Sequence, residues 1–522
     1  MDGTWEPELA ELARRRELAA RMGGDERVAR QRATGRLTVR ERIAALLDDG
    51  SWREVGALTG QSTYAEDGAL VDLTPANLVT GQGRIDGRRL VLAADDFTVR
   101  GGAADAAIVD KQVHAERMAH DLRVPMLRLL DGTGGGGSVK SLEDFGRTYV
   151  PWNPGWDVVV ANLARVPVVT AALGPVAGLG AARLVTSHVA VMVRDIAQVF
   201  VAGPPVVEAG MGQTVSKEEL GGWRIAARSG AVDVVVDSED EAFATIRRVL
   251  SYLPANVWQL PPVVPATDDP QRRDERLADL VPRHRRSPYD VRALLGAVCD
   301  IGSVLELGRH AGDSAVTALA RLDGRPVAVL ASDPMVYGGG LSAPGADRVA
   351  RFVDLADTFH LPVVHLVDQP GFVIGPEAER AGTIRRGARA LAAVYQSEVP
   401  WASVLVRRVF GVAGAGHRPH HRHSLRVAWP SGDWGSLPIE GGLEVAFKRA
   451  LADAGDEAVQ LKAEITERLE AVRSPFRTAE SFLVEDVIDP RDTRPLLCDW
   501  VASAYDVLAT TTLGPRGRGQ RP

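Results

Sequence analysis

Cysteine is nearly absent. Cys299 and Cys498 are the only two in 522 residues, which excludes a disulfide framework or a four-cysteine zinc site and makes a reducing compartment the default. Aromatic residues are also few, at 5%, so the core has to be packed from small aliphatic side chains with close backbone approach. No apolar run reaches the roughly 18 residues of a membrane span. The opening MDGTWEPELAELARRRELAARM is acidic and helical in pattern, unlike a signal peptide. A cytoplasmic protein is expected. The formal charge of −7 argues against wholesale nucleic-acid binding. The commonest catalytic signatures are missing too. The glycine run DGTGGGGSV (131–139) lacks the Gly-Lys-Ser/Thr of a phosphate loop, no dinucleotide fingerprint opens a helix, and no GxSxG elbow occurs.

With 45% hydrophobic and 25% charged residues, the chain is globular and long enough for two or three domains at about 100–200 residues each. Its most informative feature is an internal duplication. Gly87 and Gly324, Asp96 and Asp333, Gly101 and Gly338, Pro125 and Pro362, and Asp131 and Asp368 all share an offset of 237. An earlier pair, DDGSWREV (48–55) and CDIGSVLEL (299–307), is offset by 252, which a 15-residue indel accounts for. A period this long means two homologous domains, with a boundary expected near residue 265. Six prolines between 254 and 282 and no sustained apolar period mark that stretch as a linker. The tail TTTLGPRGRGQRP is expected to fray.

Each half follows one pattern. A β-rich run (LVLAAD; VAVLAS) leads to a glycine-rich loop and then to an amphipathic helix. A buried strand ending in Asp131 or Asp368 comes next, followed by another helix and a further strand (VPVVTAALG; VPWASVLVR) that ends in glycine. Alternating strand and helix implies βαβ crossovers and an α/β fold with parallel strands. Ligands in such folds sit beyond the carboxyl ends of the strands, where these loops fall.

The two loops after the last of these strands are LGPVAGLGAA (173–182) and RRVFGVAGAGH (407–417). Glycine there permits unusual φ and lets main-chain N–H groups face a ligand oxygen without a Cβ in the way. That is how an oxyanion hole is built from backbone alone, one donor being worth about 3 kcal/mol of barrier. A tight turn needed only for packing is the competing explanation, and duplication of the loop shifts the balance toward function. His417, His420, His421 and His423 form an unusual cluster set among Arg and Pro. It reads as a solvated loop rather than a metal site, with His417 placed to serve as an acid or base at the adjacent loop.

A set of further motifs resembles the carboxyltransferase (β) subunit of biotin-dependent acyl-CoA carboxylases, of the propionyl-CoA carboxylase type. They run in order from MGGDERVARQRATGRLTVRERIAALLDDGSWREVG (22–56) through DFTVRGGA (96–103), GPVAG (174–178), VAGPPVV (201–207) and EELGG (218–222). DQPGF (368–372), GTIRRGA (382–388), AWP (428–430) and DPRDTR (489–494) complete the set. The resemblance implies an α/β chain of two tandem crotonase-like (ClpP/crotonase) ββα-superhelix domains, residues 1–265 and 266–522, usually in a hexamer. It implies active sites between the first domain of one subunit and the second domain of another. Carboxybiotin would arrive on a separate carrier protein and an acyl-CoA would be carboxylated at its α-carbon, with no metal in this chain.

By the same resemblance, the backbone amides of Gly178 and Leu179 in one half and Val412 and Ala413 in the other would hold the enolate and ureido oxygens. Gly101, Gly102, Gly134, Gly135, Gly371, Phe372 and Ala415 would line the substrate. Biotin carboxylase and biotin carrier subunits are the implied partners, because none of the five lysines sits in a Met-Lys-Met acceptor setting. The chain departs from the family at DGTGGGGSV, where DSGGARIQEG is usual, and at Leu179, Val412 and Ala415. Two alternatives stay open on these residues. One is a biotin-independent decarboxylase, or another enolate-forming enzyme, acting on a CoA or carrier-bound thioester. The other is a non-catalytic paralogue that stabilises an assembly.

Overall fold

The computed structural model describes residues 4–134, 142–143, 146–418, 423–517 and 519–520. The chain divides into two compact units, residues 1–259 with 514–522, and residues 260–513. In the first unit the strands are β1 (Arg53–Val55), β2 (Gly60–Tyr64), β3 (Leu70–Pro75), β4 (Leu78–Ile85), β5 (Arg88–Asp95), β6 (Met126–Gly132), β7 (Val168–Ala177), β8 (Val189–Val193), β9 (Gln198–Phe200) and β10 (Val234–Val236). Their main sheet runs β1-β4-β5-β6-β7-β8-β10, with β9 also on β7 and β2–β3 a separate pair.

The second unit has β11 (Leu305–Leu307), β12 (Ala315–Leu322), β13 (Arg325–Ser332), β14 (Val363–Gln369), β15 (Trp401–Phe410), β16 (Ser424–Ala428), β17 (Asp433–Gly435) and β18 (Asp486–Val487). Its sheet runs β11-β12-β13-β14-β15-β16-β18, with β17 on β15. The two orders are the same. In each sheet an antiparallel edge passes into parallel strands.

The sequence explains these elements locally. Asp86-Gly87 and Asp323-Gly324 close the β4–β5 and β12–β13 hairpins with φ of 50° and 76°, and 48° and 74°, the paired positive values of a two-residue hairpin turn. Asp48 and Asp300 each accept the two turn amides, at 3.0 and 2.8 Å in both halves. The helix Val109–Leu122 lays Ala115 and Ala119 against Val91 and Met126 of the first sheet. In the second unit, Leu294, Val298, Leu497 and Val501 from the helices Val291–Val298 and Thr493–Ala509 cover Val316, Val329, Val364 and Val404. Alanine and valine let helix and sheet approach closely, and this is how so few aromatics suffice.

Two sequence expectations are corrected here. The proline-rich stretch is no free linker. Arg272 pairs with Asp268 at 2.9 Å and donates to the carbonyls of Ala297 and Cys299, while Arg494 donates to Asp269 O and pairs with Asp300. Leu277 is buried in the core of the second unit. Long-range charge pairing leaves no apolar period to read, so a periodicity argument misses it. The tail does not fray throughout either, since Gln520 is buried and Gly519 lies against Leu163 and Ala164 of the first unit.

Each unit also buries one carboxylate at the end of the strand expected to end in Asp. Asp131 is fully buried, with Arg42 Nη1 at 2.9 Å and Arg36 Nη1 at 3.2 Å. Arg42 in turn pairs with Glu239 at 2.6 Å and donates to Leu173 O. Asp368 takes both of its arginines from β15, with Arg407 Nη2 at 2.8 Å and Arg408 Nε at 2.7 Å. Removing one partner of such a buried set is costly, because the opposite charge stays behind without compensation. Replacing Arg42 with Met is expected to lower stability by about 3–5 kcal/mol, read as a loss in urea denaturation.

Candidate functional site

The expected site residues gather at the C-terminal ends of the parallel strands in each unit. In the first, Gly101 and Gly102 have φ of 64° and 67° and Gly134 has 77°. Thr133 N–H donates to Gly101 O at 3.0 Å, and Ala104 N–H to Gly134 O at 3.3 Å. A Cβ on Gly102 would lie 2.6 Å from Asp131 O. Glycine is therefore required there by close approach as well as by φ. In the second unit Gly338 and Gly339 take the matching φ of 61° and 89°, and Gly371 takes 121°. Leu341 N–H donates to Gly371 O at 2.9 Å, and Phe372 lies half-buried beside Gly387, where a Cβ would meet its ring. Gly135, His420 and His421 lie outside the described residues.

The two loops enter their short helices in the same way. Gly178 precedes the helix Leu179–Val185, Gly411 opens the helix Gly411–Ala415, and both have φ of 59°. Aligned on these glycines, Val412 occupies the place of Leu179 and Ala413 that of Gly180. The structure distinguishes the amides. Gly178 N–H is shared between Phe200 O at 3.3 Å and Val201 O at 3.2 Å, so Gly178 supplies conformation while its own donor is engaged. Among the described residues, the N–H groups of Leu179, Gly180, Val412 and Ala413 donate to no main-chain carbonyl. Val412 is 56% exposed and Ala415 is exposed, whereas Ala413 is buried.

His417 does not belong to a solvated loop. Its ring is buried, with Nδ1 2.7 Å from Gly414 O; a carbonyl only accepts, so Nδ1 carries the proton. Ser403 Oγ donates to His417 O at 2.6 Å. His365, edge-on to Trp401 at 6.2 Å, is pushed down to about 3 by burial and by the neighbouring His417, and is neutral at ordinary pH. His423 instead stacks on Trp500 at 6.2 Å. Among the described residues no group of three or more His, Cys, Asp or Glu side chains is disposed to hold a metal ion.

The carboxylates behind the loops differ in their electrostatics. Burial raises the Asp131 carboxyl, and Arg42 and Arg36 only partly oppose it. Burial acts on Asp368 too, but the hydrogen bond and charge of Arg408, with Arg407, hold it below the usual range. Asp95, at the end of β5, accepts Asp131 N–H at 3.1 Å. Burial pushes its carboxyl up to about 7. Sequence reasoning missed Asp95, because an ordinary acidic residue beside Asp96 carries no spacing signal.

A model of the carboxyl transferase domain matches residues 30–510. The chain belongs to the carboxyl transferase domain family. Among its relatives is the propionyl-CoA carboxylase carboxyltransferase subunit of Haloferax mediterranei, 32% identical over 495 residues, 94% of this chain and 95% of that one. Another is the methylmalonyl-CoA decarboxylase subunit alpha of Veillonella parvula, 31% identical over 484 residues and 92% of each chain. Among solved structures, the hexameric transcarboxylase 12S subunit, crystallised with methylmalonyl-coenzyme A and methylmalonic acid, superposes with a TM-score of 0.85. It is 31% identical over 100% of this chain and 98% of that one. The two similar sheets are thus two tandem crotonase-like domains.

Asp95 provides a stability test of this family member. Its carboxyl titrates higher in the folded than in the unfolded chain, so its contribution is present below about pH 4 and is lost as pH rises toward 7. Asp95→Asn, which keeps an acceptor for Asp131 N–H, is expected to gain thermal stability relative to the parent between pH 5 and about pH 8. At about pH 4 the two should melt together, as scanning calorimetry across that range would report.

Proposed function

We propose that this chain is the carboxyltransferase subunit of an acyl-CoA carboxylase. It would move a carboxyl group from carboxybiotin on a carrier protein to the α-carbon of an acyl-CoA. The observation that carries this reading is the pair of glycine-entered loops at duplicated positions, each presenting main-chain N–H groups with no main-chain acceptor. Residues 1–265 and 266–522 act as the N- and C-terminal carboxyltransferase domains, one oxygen being held by each. The chain works in the cytoplasm, in a homo-oligomer of hexameric type, with biotin carboxylase and biotin carrier subunits as partners. No helix among the described residues is long and apolar enough to cross a membrane.

The residues fit flat, oxygen-bearing groups. A Cβ on Gly178 would meet nothing nearer than Val201 O at 3.9 Å, and one on Gly411 nothing nearer than Ser436 O at 3.5 Å. Both loops are therefore open in front of their backbone. When bound, carboxybiotin supplies the carboxyl group. The chain's part is to stabilise charge. Leu179 N–H in one loop, and Val412 and Ala413 N–H in the other, donate to oxygens that become negative as the thioester forms its enolate. Gly178 sets the direction of Leu179 N–H. Such donors act in the transition state without reorganising. Gly101, Gly102 and Gly134 border the first loop, and Gly371, Phe372 and Ala415 the second. Decarboxylation is the second reading, favoured by the relative named for that activity; it would use the same amides on the enolate left by CO₂ loss.

Purified protein incubated with carboxylated biotin carrier and a panel of acyl-CoAs is expected to yield a carboxyacyl-CoA, identified by mass. Release of CO₂ from methylmalonyl-CoA without any carrier would favour decarboxylation. Inertness toward every thioester, together with firm binding to partner subunits, would leave the assembly role. The amide is tested by Leu179→Pro, which removes one N–H at a first helical position that accepts proline. It is expected to lower kcat by about 10²–10³, while Leu179→Gly, which keeps the N–H, stays near the parent.

A further inference from the structure

The strands beneath the two loops carry a second duplicated device. Arg128 of β6 faces Thr170 of β7 in the register of the first sheet, and His365 of β14 faces Ser403 of β15 in that of the second. Arg128 and Thr170 in the first unit, and Ser403 in the second, turn to the far end of the loop helix. Arg128 Nη1 donates to Arg183 O at 3.0 Å and Thr186 O at 2.8 Å, while Thr170 Oγ1 donates to Leu184 O at 3.0 Å. In the second unit Ser403 Oγ donates to His417 O at 2.6 Å, two residues past the helix. His417 then returns its own Nδ1 to Gly414 O at 2.7 Å.

The two versions differ in charge and are each internally consistent. Arg128 is neutralised by a bidentate pair with Glu116 at 2.7 and 3.1 Å, wholly buried. At the place of Glu116 in the second half stands Val353, also buried, and at the place of Arg128 stands His365, an imidazole rather than a guanidinium. Cation and carboxylate are replaced together, and a strand hydroxyl reaching the helix end is present in both halves. Helices of seven and five residues do not hold their direction unaided, since nucleation costs more than so few turns return.

We propose that Arg128 with Thr170, and Ser403 with His417, are positioning residues. They clamp the carbonyl groups at the far end of each loop helix and so aim the amides of Leu179, and of Val412 and Ala413, at its near end. This rests on the carboxyltransferase reading for the use of those amides, but the clamp itself is a property of the fold.

The decisive variant is Ser403→Ala, which removes the hydroxyl donor to His417 O without adding a charge. In the assembled enzyme, kcat is expected to fall about tenfold or more with KM within about twofold. Deuterium exchange across residues 408–418 is expected to speed up while the sheet stays protected. Ser403→Thr, which retains the hydroxyl, returns kcat to the parent level. Thr170→Val, compared with Thr170→Ser, gives the same contrast in the first half and decides the matter if Ser403→Ala does not fold. Unchanged kcat and exchange in Ser403→Ala overturn the clamp, as does a loss that Ser403→Thr does not restore. If the parent enzyme transfers no carboxyl group, the functional reading fails, and the exchange arm still judges the clamp.

Discussion

A carboxylate buried at the end of one central strand is the constraint around which each half is arranged. Asp131 and Asp368 lie where parallel strands give way to loops, and neither has access to water. An ion in such a place needs fixed partners of opposite charge. In the first half these come from Arg36 and Arg42, which tie the N-terminal helix region to the sheet. In the second half Arg407 and Arg408 on the neighbouring strand do the same work. The loops that carry Gly134 and Gly371 spring from these anchored strand ends, so their positions are inherited from the ion pairs.

Duplication kept the geometry and let the chemistry drift. Positive-φ glycines recur at 101 and 338, 102 and 339, 134 and 371, and 178 and 411. Backbone conformation is the conserved quantity between the halves, which suits a site whose donors are main-chain amides. The side chains supporting that backbone were free to change in compensating sets. Arg128 with Glu116 became His365 with Val353, and a salt-bridged carboxylate held from a distant helix became one held from the adjacent strand. In both halves a strand hydroxyl reaches the end of the loop helix, and the buried carboxylate is neutralised by arginines of different origin.

Much of this was legible in the residues. The strands ending in Asp, the helices between them and the two glycine loops all carry local signatures, because turn chemistry and apolar period act over a few neighbours. The substrate-lining glycines, by contrast, were named through the family resemblance and not from local pattern. The Pro-rich stretch and the tail were misread because what holds them is long-range: Arg494 reaches Asp269, and Gly519 reaches Leu163. His417 was misread as solvated, since its burial depends on Ser403 and His365, distant in the chain and adjacent in the sheet.

The amino-acid order by itself determined that there are two homologous α/β halves and that glycine-entered loops end corresponding strands, because φ preference and hydrophobic period are properties of short segments. Only the tertiary structure decided which amides are available. Gly178 N–H is consumed by the carbonyls of Phe200 and Val201, whereas Leu179 N–H meets no main-chain acceptor. That distinction depends on where a separate strand lies, and burial and hydrogen-bond partnership exist only once remote segments have been brought together.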